Sequence, residues 1–386
     1  MAVPIPRPLI NFHANSSTDE HVRTDDASAA VKRSAPEPSG KTVVHFINNL
    51  AAIGGAERLV LDLAACAPVR PVTVITWYGR DNSLLQFDTH QSVRLIALRP
   101  FKPSALLQAI RAIKRADVLH LHLFPTLYLG PFLKKPTLFT EHNTWNGRRD
   151  HAWLRPIERW CYRRIDKIVA ISPATAISLE EWLGLAPSRV SVIANGIRLD
   201  RFDRIPRIHT GDRVVIGMAA RFSREKDHPT LLRALAILPS NYRLKLAGDG
   251  PLRKPLQELA AQLGVLDRIE FLGVVADMPA FYRSIDIYVQ SSNCDGFSLV
   301  AVEAMASGVP TIGSDIPGLR DTIGTPDLLF AHGDAQDLAR RVRGIGENAA
   351  NYASMARYCV ERAGLYSIEK TAEQYAAAYE AVASKT

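Results

Sequence analysis

Residues 291–308 read SSNCDGFSLVAVEAMASG and lie between a β-type run at 285–290 and an apolar run at 309–312. This order predicts a strand, a loop, a helix and a further strand, as in one unit of a parallel sheet. The loop and the start of the helix then lie at the carboxyl end of a strand. In open α/β sheets, ligands bind at that edge.

The start of the predicted helix is suited to an anion. Ser298 is a good N-cap candidate, so the amides of Phe297, Ser298 and Leu299 lie where a helix has no internal acceptors. Such a helix start favours an anion by ~0.3–1 kcal/mol at an exposed site.

Two carboxylates accompany this helix. Because the helix is apolar on nearly every side, we expect it to be buried, and Glu303 lies within it. A buried carboxylate needs donors. Glu303 could pair with a core amide or arginine, or it could accept hydrogen bonds from ligand hydroxyls. Because Asp295 stands before the same helix, we favour the second interpretation.

Composition indicates a globular protein of two or three domains. The chain has 386 residues, 47% of them hydrophobic and 22% charged. No apolar run approaches the roughly 20 residues of a membrane-spanning helix. Prolines interrupt the first residues where an export signal would be apolar, and the four cysteines are scattered without a Cys-x-x-Cys pair. We therefore expect a cytoplasmic location, with neither a disulfide framework nor a zinc site.

Strands and helices alternate through two similar halves. We expect a disordered leader over 1–40, a first Rossmann-like domain over 41–205, a second over 206–365 and a crossover helix over 366–386. The last helix carries an apolar stripe that would tie the tail to the first half. Its residues are Ile368, Ala372, Tyr375, Tyr379 and Val382.

Individual elements follow from hydrophobic patterning. Predicted strands are 42–48, 72–76, 93–98, 118–123, 137–142, 167–171, 189–194, 214–218, 244–247, 269–272, 285–290 and 310–313. Predicted helices include 104–114 with Ser104 as its cap, 173–183, 228–238 and 251–263.

In the first half, a glycine-rich turn and one histidine stand at strand ends. The turn at 54–58 would let a phosphate approach the backbone, although tight packing also explains it. The dinucleotide fingerprint Gly-x-Gly-x-x-Gly is absent, which argues against nicotinamide binding. His142 follows a strand in the same half as Gly55, so a structural and a functional role are both open.

The second half opens with a cationic loop. Arg221 and Lys226 follow the strand that begins at residue 214 and could clamp a diphosphate from two directions, although each could be an ordinary surface cation. Residues 248–251, Gly-Asp-Gly-Pro, again suit the close approach of a ligand.

The net charge of +8 leaves several anionic partners open. No nucleic-acid-binding signature is present, so nucleic acid is not expected. Residues 148–164 are basic and aromatic and could form an amphipathic helix on an anionic membrane. A solvated helix with buried aromatics is the alternative.

Taken together, these motifs resemble the retaining glycosyltransferases of family 4, of the bacterial polysaccharide and glycolipid type, which have the GT-B fold. The likeness runs from about residue 41 to the C-terminus. Its elements are residues 54–58, His142, residues 195–196, Arg221 with Lys226, residues 248–251, and Asp295 with Glu303. The family usually has glutamate where this chain has Asp295, which is one methylene shorter.

The resemblance implies an α/β fold of two Rossmann-like domains that face each other across a cleft. It implies that Arg221, Lys226 and the amides of Phe297, Ser298 and Leu299 hold a diphosphate, which Gly55 approaches from the first domain. It further implies that Glu303 binds the ribose, the backbone at Val274 meets the base, and His142 and Asp295 contact the sugar as the catalytic pair.

The activity implied is that of a retaining hexosyltransferase, without a metal or other cofactor. It would move a sugar from a UDP- or GDP-linked donor to a saccharide or lipid-linked saccharide, in polysaccharide biosynthesis. The location implied is cytoplasmic, with peripheral association at the inner face of the cell membrane left open. A nucleotide-sugar epimerase or hydrolase on the same fold is one alternative, and a non-catalytic nucleotide-sugar-binding protein is another.

Overall fold

The computed structural model describes residues 41–50, 54–66, 72–78, 93–99, 101–208 and 211–384. The expected leader over 1–40 lies outside these residues. The described part contains two parallel sheets, one of seven strands and one of six. This confirms the prediction of two parallel-sheet, Rossmann-like halves, while the exact domain boundaries stay predictions.

The first sheet has the strand order β3-β2-β1-β4-β5-β6-β7. Its strands β4 and β5 are buried along their whole length, as expected when helices cover both faces of a parallel sheet. The strands are β1 Val43–Asn49, β2 Val72–Tyr78, β3 Val93–Arg99, β4 Val118–His122, β5 Thr137–Glu141, β6 Lys167–Ala170 and β7 Val190–Val192. The helices are α1 Gly55–Ala65, α2 Pro103–Arg115, α3 Leu154–Arg163 and α4 Pro173–Leu183.

The second sheet has the order β10-β9-β8-β11-β12-β13. Its strands are β8 Val214–Ala219, β9 Tyr242–Ala247, β10 Ile269–Gly273, β11 Ile287–Gln290, β12 Thr311–Ser314 and β13 Leu329–Phe330. The helices are α5 His228–Ile237, α6 Arg253–Gln262, α7 Met278–Arg283, α8 Leu299–Ala306, α9 Pro317–Ile323, α10 Ala335–Gly346 and α11 Ala349–Ala363, and α12 Ile368–Ala383 follows.

In each sheet the strand order reverses at one point. The reversal lies between β1 and β4 in the first sheet and between β8 and β11 in the second. A crevice opens at the carboxyl ends of two such strands because their connections leave in opposite directions. The turn at 54–58 follows β1, the loop 221–226 follows β8 and the loop 291–298 follows β11, so topology directs all three to such crevices.

Helix α12 returns to the first half, as its apolar stripe predicts. Ile368, Tyr375 and Val382 are buried in one cluster with residues of α1 and of the first sheet. Gly196 permits this return, since a Cβ there would lie 2.5 Å from the carbonyl oxygen of Ser367. The tail therefore closes back on the strands that carry the first half of the cleft.

Some local predictions were wrong. Lys102 occupies the N-cap position of α2 and Pro103 its first turn, so Ser104 is not the cap, because proline is pre-organised for that turn. Strand β7 is shorter than expected, since a 3₁₀ turn occupies Pro187–Arg189. Strand β13 and helices α7 and α9 to α11 were not predicted.

Candidate active site

The loops after β8 and β11 are locked together by backbone hydrogen bonds. The Asp227 amide donates to the Ser291 carbonyl at 3.0 Å, and the Asn293 amide donates to the Glu225 carbonyl at 2.9 Å. The two loops therefore form one surface at the reversal point of the second sheet.

An ion pair joins the two loops. The Lys226 ammonium lies 2.6 Å from Asp295 Oδ2, with side-chain exposures of 22% and 10%. The buried Gln290 amide nitrogen lies 3.4 Å from the same oxygen, and the Tyr288 hydroxyl orients Gln290 by donating to its Oε1 at 2.7 Å. The carboxylate and the ammonium are thus held in place side by side.

Arg221 stands in the same loop as Lys226. Its side chain is exposed and makes no hydrogen bond or ion pair with any residue that the structure describes. The pKa of Glu225 lies below its ordinary value, first because the Ser223 hydroxyl donates to it and further because Arg221 and Lys226 are positive. The Arg221 side chain is therefore available to an anionic partner.

The start of α8 is open. Ser298 occupies the N-cap position, but its hydroxyl makes no capping bond and is buried without a partner. The first helical bond runs from the Val302 amide to the Ser298 carbonyl at 3.1 Å. The amides of Phe297, Ser298 and Leu299 have no acceptor within the described part of the chain, so the geometry retains the donors expected from the sequence.

Glu303 points into a half-buried niche. The Tyr282 hydroxyl donates to Glu303 Oε2 at 2.9 Å, so the carboxylate has a core partner, although neither an amide nor an arginine. Burial raises the pKa of Glu303 from 4.5 to about 7, while Arg58 of α1 lowers it and Asp62 raises it. Since α1 belongs to the first half, charges of that half act on Glu303, which belongs to the second half.

The edges of the two sheets approach each other closely. A Cβ on Gly55 would lie 3.4 Å from Leu299 Cδ1, and a Cβ on Gly296 would lie 2.8 Å from the His142 carbonyl oxygen. The Ala174 amide also donates to Asp321 Oδ2 at 3.0 Å across the same gap. Gly55 and His142 therefore lie beside the loop and helix that carry Asp295 and Leu299.

The backbone of His142 is held by hydrogen bonds, and one of its ring nitrogens has no hydrogen-bond partner. Glu141 accepts from the amides of His142 and Asn143 at 3.1 Å each and from the Tyr162 hydroxyl at 2.6 Å. Nε2 of His142 lies 3.2 Å from Nδ1 of His122, whereas its Nδ1 is buried and unpartnered. Burial lowers the pKa of His142 to about 3, so the ring is neutral near pH 7.

Val274 lies apart from the ion pair. It is 85% exposed and follows β10, two strands from β8 in the sheet order. The Gly248 amide donates to the Gly273 carbonyl at 2.6 Å, which holds the ends of β9 and β10 together. Gly248 packs tightly within the chain, because a Cβ there would lie 2.0 Å from the Ala220 carbonyl oxygen, while the approach of a ligand at 248–251 stays a prediction.

Three buried histidines near His142 were missed. His45 of β1 is in register with His120 of β4, and the rings of His120 and His122 are tilted by 38° with their centroids 3.8 Å apart. Nitrogen atoms of the three lie within 4.8 Å of one another, a spacing that could hold a metal. Both ring nitrogens of His120 are already hydrogen-bonded, to the Tyr379 hydroxyl and Thr140 Oγ1 at 2.8 Å each. The alternation His120-x-His122 was the available sequence signal.

Two family models match the chain and together span most of it. The model described as Glycosyltransferase Family 4 matches residues 53–201, and the model described as Glycosyl transferases group 1 matches residues 201–363. The division between them falls in the irregular segment after β7.

Similar proteins and structures agree with these matches. The D-inositol 3-phosphate glycosyltransferase of Geodermatophilus obscurus is 31% identical over 70% of this chain and 67% of that protein. The 2-deoxystreptamine glucosyltransferase of Streptomyces kanamyceticus is 30% identical over 53% of this chain, and the match spans only 57% of that relative. The crystal structure of Anabaena HepE with UDP and glucose has a TM-score of 0.76 at 20% identity, over 88% of this chain and 100% of that chain.

The fold and the matched families define a glycosyltransferase with the GT-B architecture. The chain belongs to the family 4 glycosyltransferases. This confirms the family and fold that the motifs indicated. Within the described part of the chain, every helix is too short or too polar to traverse a bilayer.

The raised pKa of Glu303 makes a testable prediction about donor binding. An ionised carboxylate accepts from two ribose hydroxyls, and Glu303 ionises only as pH rises through about 7. The affinity for a nucleotide sugar should therefore rise about tenfold from about pH 6 to about pH 8, as measured by calorimetry. The same ionisation works against folding, because a raised carboxyl pKa stabilises the fold at low pH and loses that contribution as pH rises through about 7.

Glu303→Gln is the matched control, since glutamine keeps the shape and cannot ionise. Its affinity should be lower and flat over the same range. An equal pH slope in both proteins would assign the titration to another group.

Proposed function

We propose that this protein is a retaining, metal-independent hexosyltransferase that passes a sugar from a nucleoside-diphosphate donor to a saccharide or lipid-linked saccharide. The observation that carries the proposal is the ion pair of Lys226 with Asp295 at one reversal point, with Arg221 in the same loop as Lys226 and the open start of α8 directly after the loop of Asp295. Cations and free amides at such a crevice match a diphosphate and its sugar.

The leaving group would be stabilised by charge already in place. The reaction breaks the bond between the sugar C1 and the diphosphate oxygen and forms a bond from C1 to the acceptor oxygen on the same face. The departing diphosphate oxygen takes the acceptor proton. Arg221, the Lys226 ammonium and the α8 amides would bind the growing negative charge, which is the largest demand of such a transition state.

Asp295 would orient the sugar rather than attack it. Its Oδ2 is engaged by the Lys226 ammonium at 2.6 Å, and the carboxylate oxygens would accept from sugar hydroxyls. The unpartnered Nδ1 of His142 would contact the sugar from the first half.

The nucleoside would extend along the second sheet. Val274 lies at β10, two strands from β8, and strands are spaced by about 4.8 Å, so the base would lie about 10 Å from the diphosphate loop. Glu303, one turn into α8, would accept from the ribose hydroxyls between them. Because Anabaena HepE was crystallised with UDP and glucose, UDP-linked sugars come first in a donor panel, followed by GDP-linked sugars.

The alternatives separate by simple assays. An epimerase or hydrolase would convert the donor rapidly when no acceptor is present. A non-catalytic binder would hold the donor and transfer nothing across a broad acceptor panel.

Alanine substitution of the cleft cations tests transfer directly. Arg221→Ala and Lys226→Ala should each lower kcat/KM by about 10²-fold, since each removes a preorganised charge at the leaving group. Arg221→Ala should change the free energy of unfolding by at most about 0.5 kcal/mol, because Arg221 is exposed and unpaired among the described residues.

Arg233→Ala is the control, because Arg233 is an exposed cation on α5. It should retain full transfer. Undiminished activity in both cleft variants would discard the proposal.

The acceptor side would rest on an anionic membrane through α3. Trp153, Ile157 and Trp160 are exposed, whereas Tyr162 is buried. Exposed arginines, among them Arg155, accompany them. Apolar rings interleaved with cations suit the interface of anionic lipid, where the rings insert and the cations meet the headgroups.

Vesicle flotation tests this surface. The double variant Trp153→Ala/Trp160→Ala should lose most binding to phosphatidylglycerol vesicles, and the unmodified protein should bind phosphatidylcholine vesicles weakly. Ile237→Ala, at an exposed apolar position on α5, serves as control and should float normally. Equal flotation with both lipids, or with both variants, would contradict membrane docking through α3.

A further inference from the structure

A continuous chain of buried imidazoles runs from β1 to the cleft. His45 Nδ1 lies 3.1 Å from His122 Nε2, and His122 Nδ1 lies 3.2 Å from His142 Nε2. Ring centroids are separated by 5.4 Å and 5.5 Å along it. We name His45, His122 and His142 the histidine chain.

The histidine chain is uncharged near neutral pH. Burial lowers the pKa of His45 to about 4 and that of His142 to about 3. Burial also lowers the pKa of His122 well below its ordinary value, and neighbouring histidines add to this. Each ring therefore carries a single ring proton.

The number of ring protons makes the tautomer of His142 depend on the tautomers of His122 and His45. Each hydrogen bond needs one protonated and one bare nitrogen. If His122 carries its proton on Nε2, His45 must offer a bare Nδ1 and His142 must donate from Nε2. If His122 carries it on Nδ1, both neighbours must also be protonated on Nδ1. All three rings must therefore adopt the same tautomer.

The His142 end of the histidine chain lacks a hydrogen-bond partner. His142 Nδ1 is buried and has no partner, whereas its Nε2 is committed to His122. A buried polar atom without a partner is costly, so the site favours a ligand group that supplies one. In the first tautomer Nδ1 accepts a hydrogen bond, and in the second it donates one.

We propose that His45 and His122 are positioning residues that set, through their shared tautomer, whether His142 Nδ1 donates to or accepts from a hydroxyl of the donor sugar. This rests on the proposed function, in which His142 contacts that sugar. The histidine chain would let the His142 ring either donate or accept a hydrogen bond at Nδ1 while the ring stays uncharged.

The neighbouring His120 has a different role. Its two ring nitrogens bind Tyr379 and Thr140, and the Tyr375 hydroxyl lies 3.0 Å from Thr140 Oγ1. His120 thus fastens α12 to β5 and stands outside the histidine chain. A metal held by one nitrogen each of His45, His120 and His122 would have to displace one of the two hydrogen bonds of His120 and one of the two of His122.

Nitrogen NMR of the full chain labelled with ¹⁵N-histidine tests the coupling without any activity assay. The ring nitrogen shifts report the tautomer of each histidine, and assignment uses His45→Asn, His122→Phe and His120→Phe. We expect one common tautomer for His45, His122 and His142, and a common change if UDP-glucose inverts it. Mixed tautomers, a charged ring or stoichiometric zinc found by elemental analysis would overturn the proposal.

Values of kcat/KM distinguish a positioning role of these histidines from a role in stability alone. His45→Phe and His122→Phe should lower kcat/KM by about tenfold, because the first leaves His122 Nε2 without a partner and the second leaves His142 Nε2 without one, so neither variant keeps the coupling of three rings. His45→Asn should recover most of that loss, since its amide keeps a polar group in the place of Nδ1. His120→Phe should lower the melting temperature and leave kcat/KM near that of the unmodified protein.

The outcomes distinguish this inference from the proposed function. If the unmodified protein transfers no sugar while the three tautomers agree, the proposed function fails and the coupling stands. If transfer occurs and His45→Phe is as active as His45→Asn, the positioning role fails. Should His122→Phe not fold, the His45 pair and the spectra still decide.

Discussion

The ion pair between Lys226 and Asp295 is the interaction around which the site is arranged. Its atoms lie 2.6 Å apart, and both side chains are largely buried. Partial burial of either charge alone would cost desolvation free energy. Each charge offsets that cost for the other at the crevice. The pair also joins the loops after β8 and β11, which the backbone bonds of Asp227 and Asn293 hold in register. In the proposed reaction, Lys226 binds the diphosphate and Asp295 binds the sugar.

Close backbone contacts bring the first half to this pair. Gly296 lies against the His142 carbonyl, and Gly55 lies beside Leu299, so the edges of both sheets meet with little intervening side chain. Helix α12 packs against the first sheet and stabilises the first half. Its Tyr379 and Tyr375 reach His120 and Thr140, beside the histidine chain. The segment that ties the tail to the first half therefore also supports the strands that present His142.

The sequence predicted the local parts of this arrangement well. Helix α4 has the predicted bounds, since Pro173 starts it and Gly184 ends it in the left-handed region. Lys226 and Asp295 are brought together because each follows a strand at the reversal point, and Arg221 stands in the same loop as Lys226. What it did not predict depends on non-local register. His45 and His120 are 75 residues apart and become neighbours only through the pairing of β1 with β4. The glycines at 248–250 have a signature that packing and ligand approach share. Only the coordinates reveal the packing part, the close contact of Gly248 with the Ala220 carbonyl oxygen.

The central claim, that this crevice grips a pyrophosphate, is tested most directly by measuring what the second phosphate adds to binding. Calorimetry would compare UDP with UMP, and GDP with GMP, on the unmodified protein and on Lys226→Met, which keeps the length of the side chain and removes its charge. We expect the diphosphate of the preferred base to bind at least about tenfold more tightly than the monophosphate, and this gain to fall to about twofold in Lys226→Met. An equal gain in both proteins would place the diphosphate elsewhere and contradict this account.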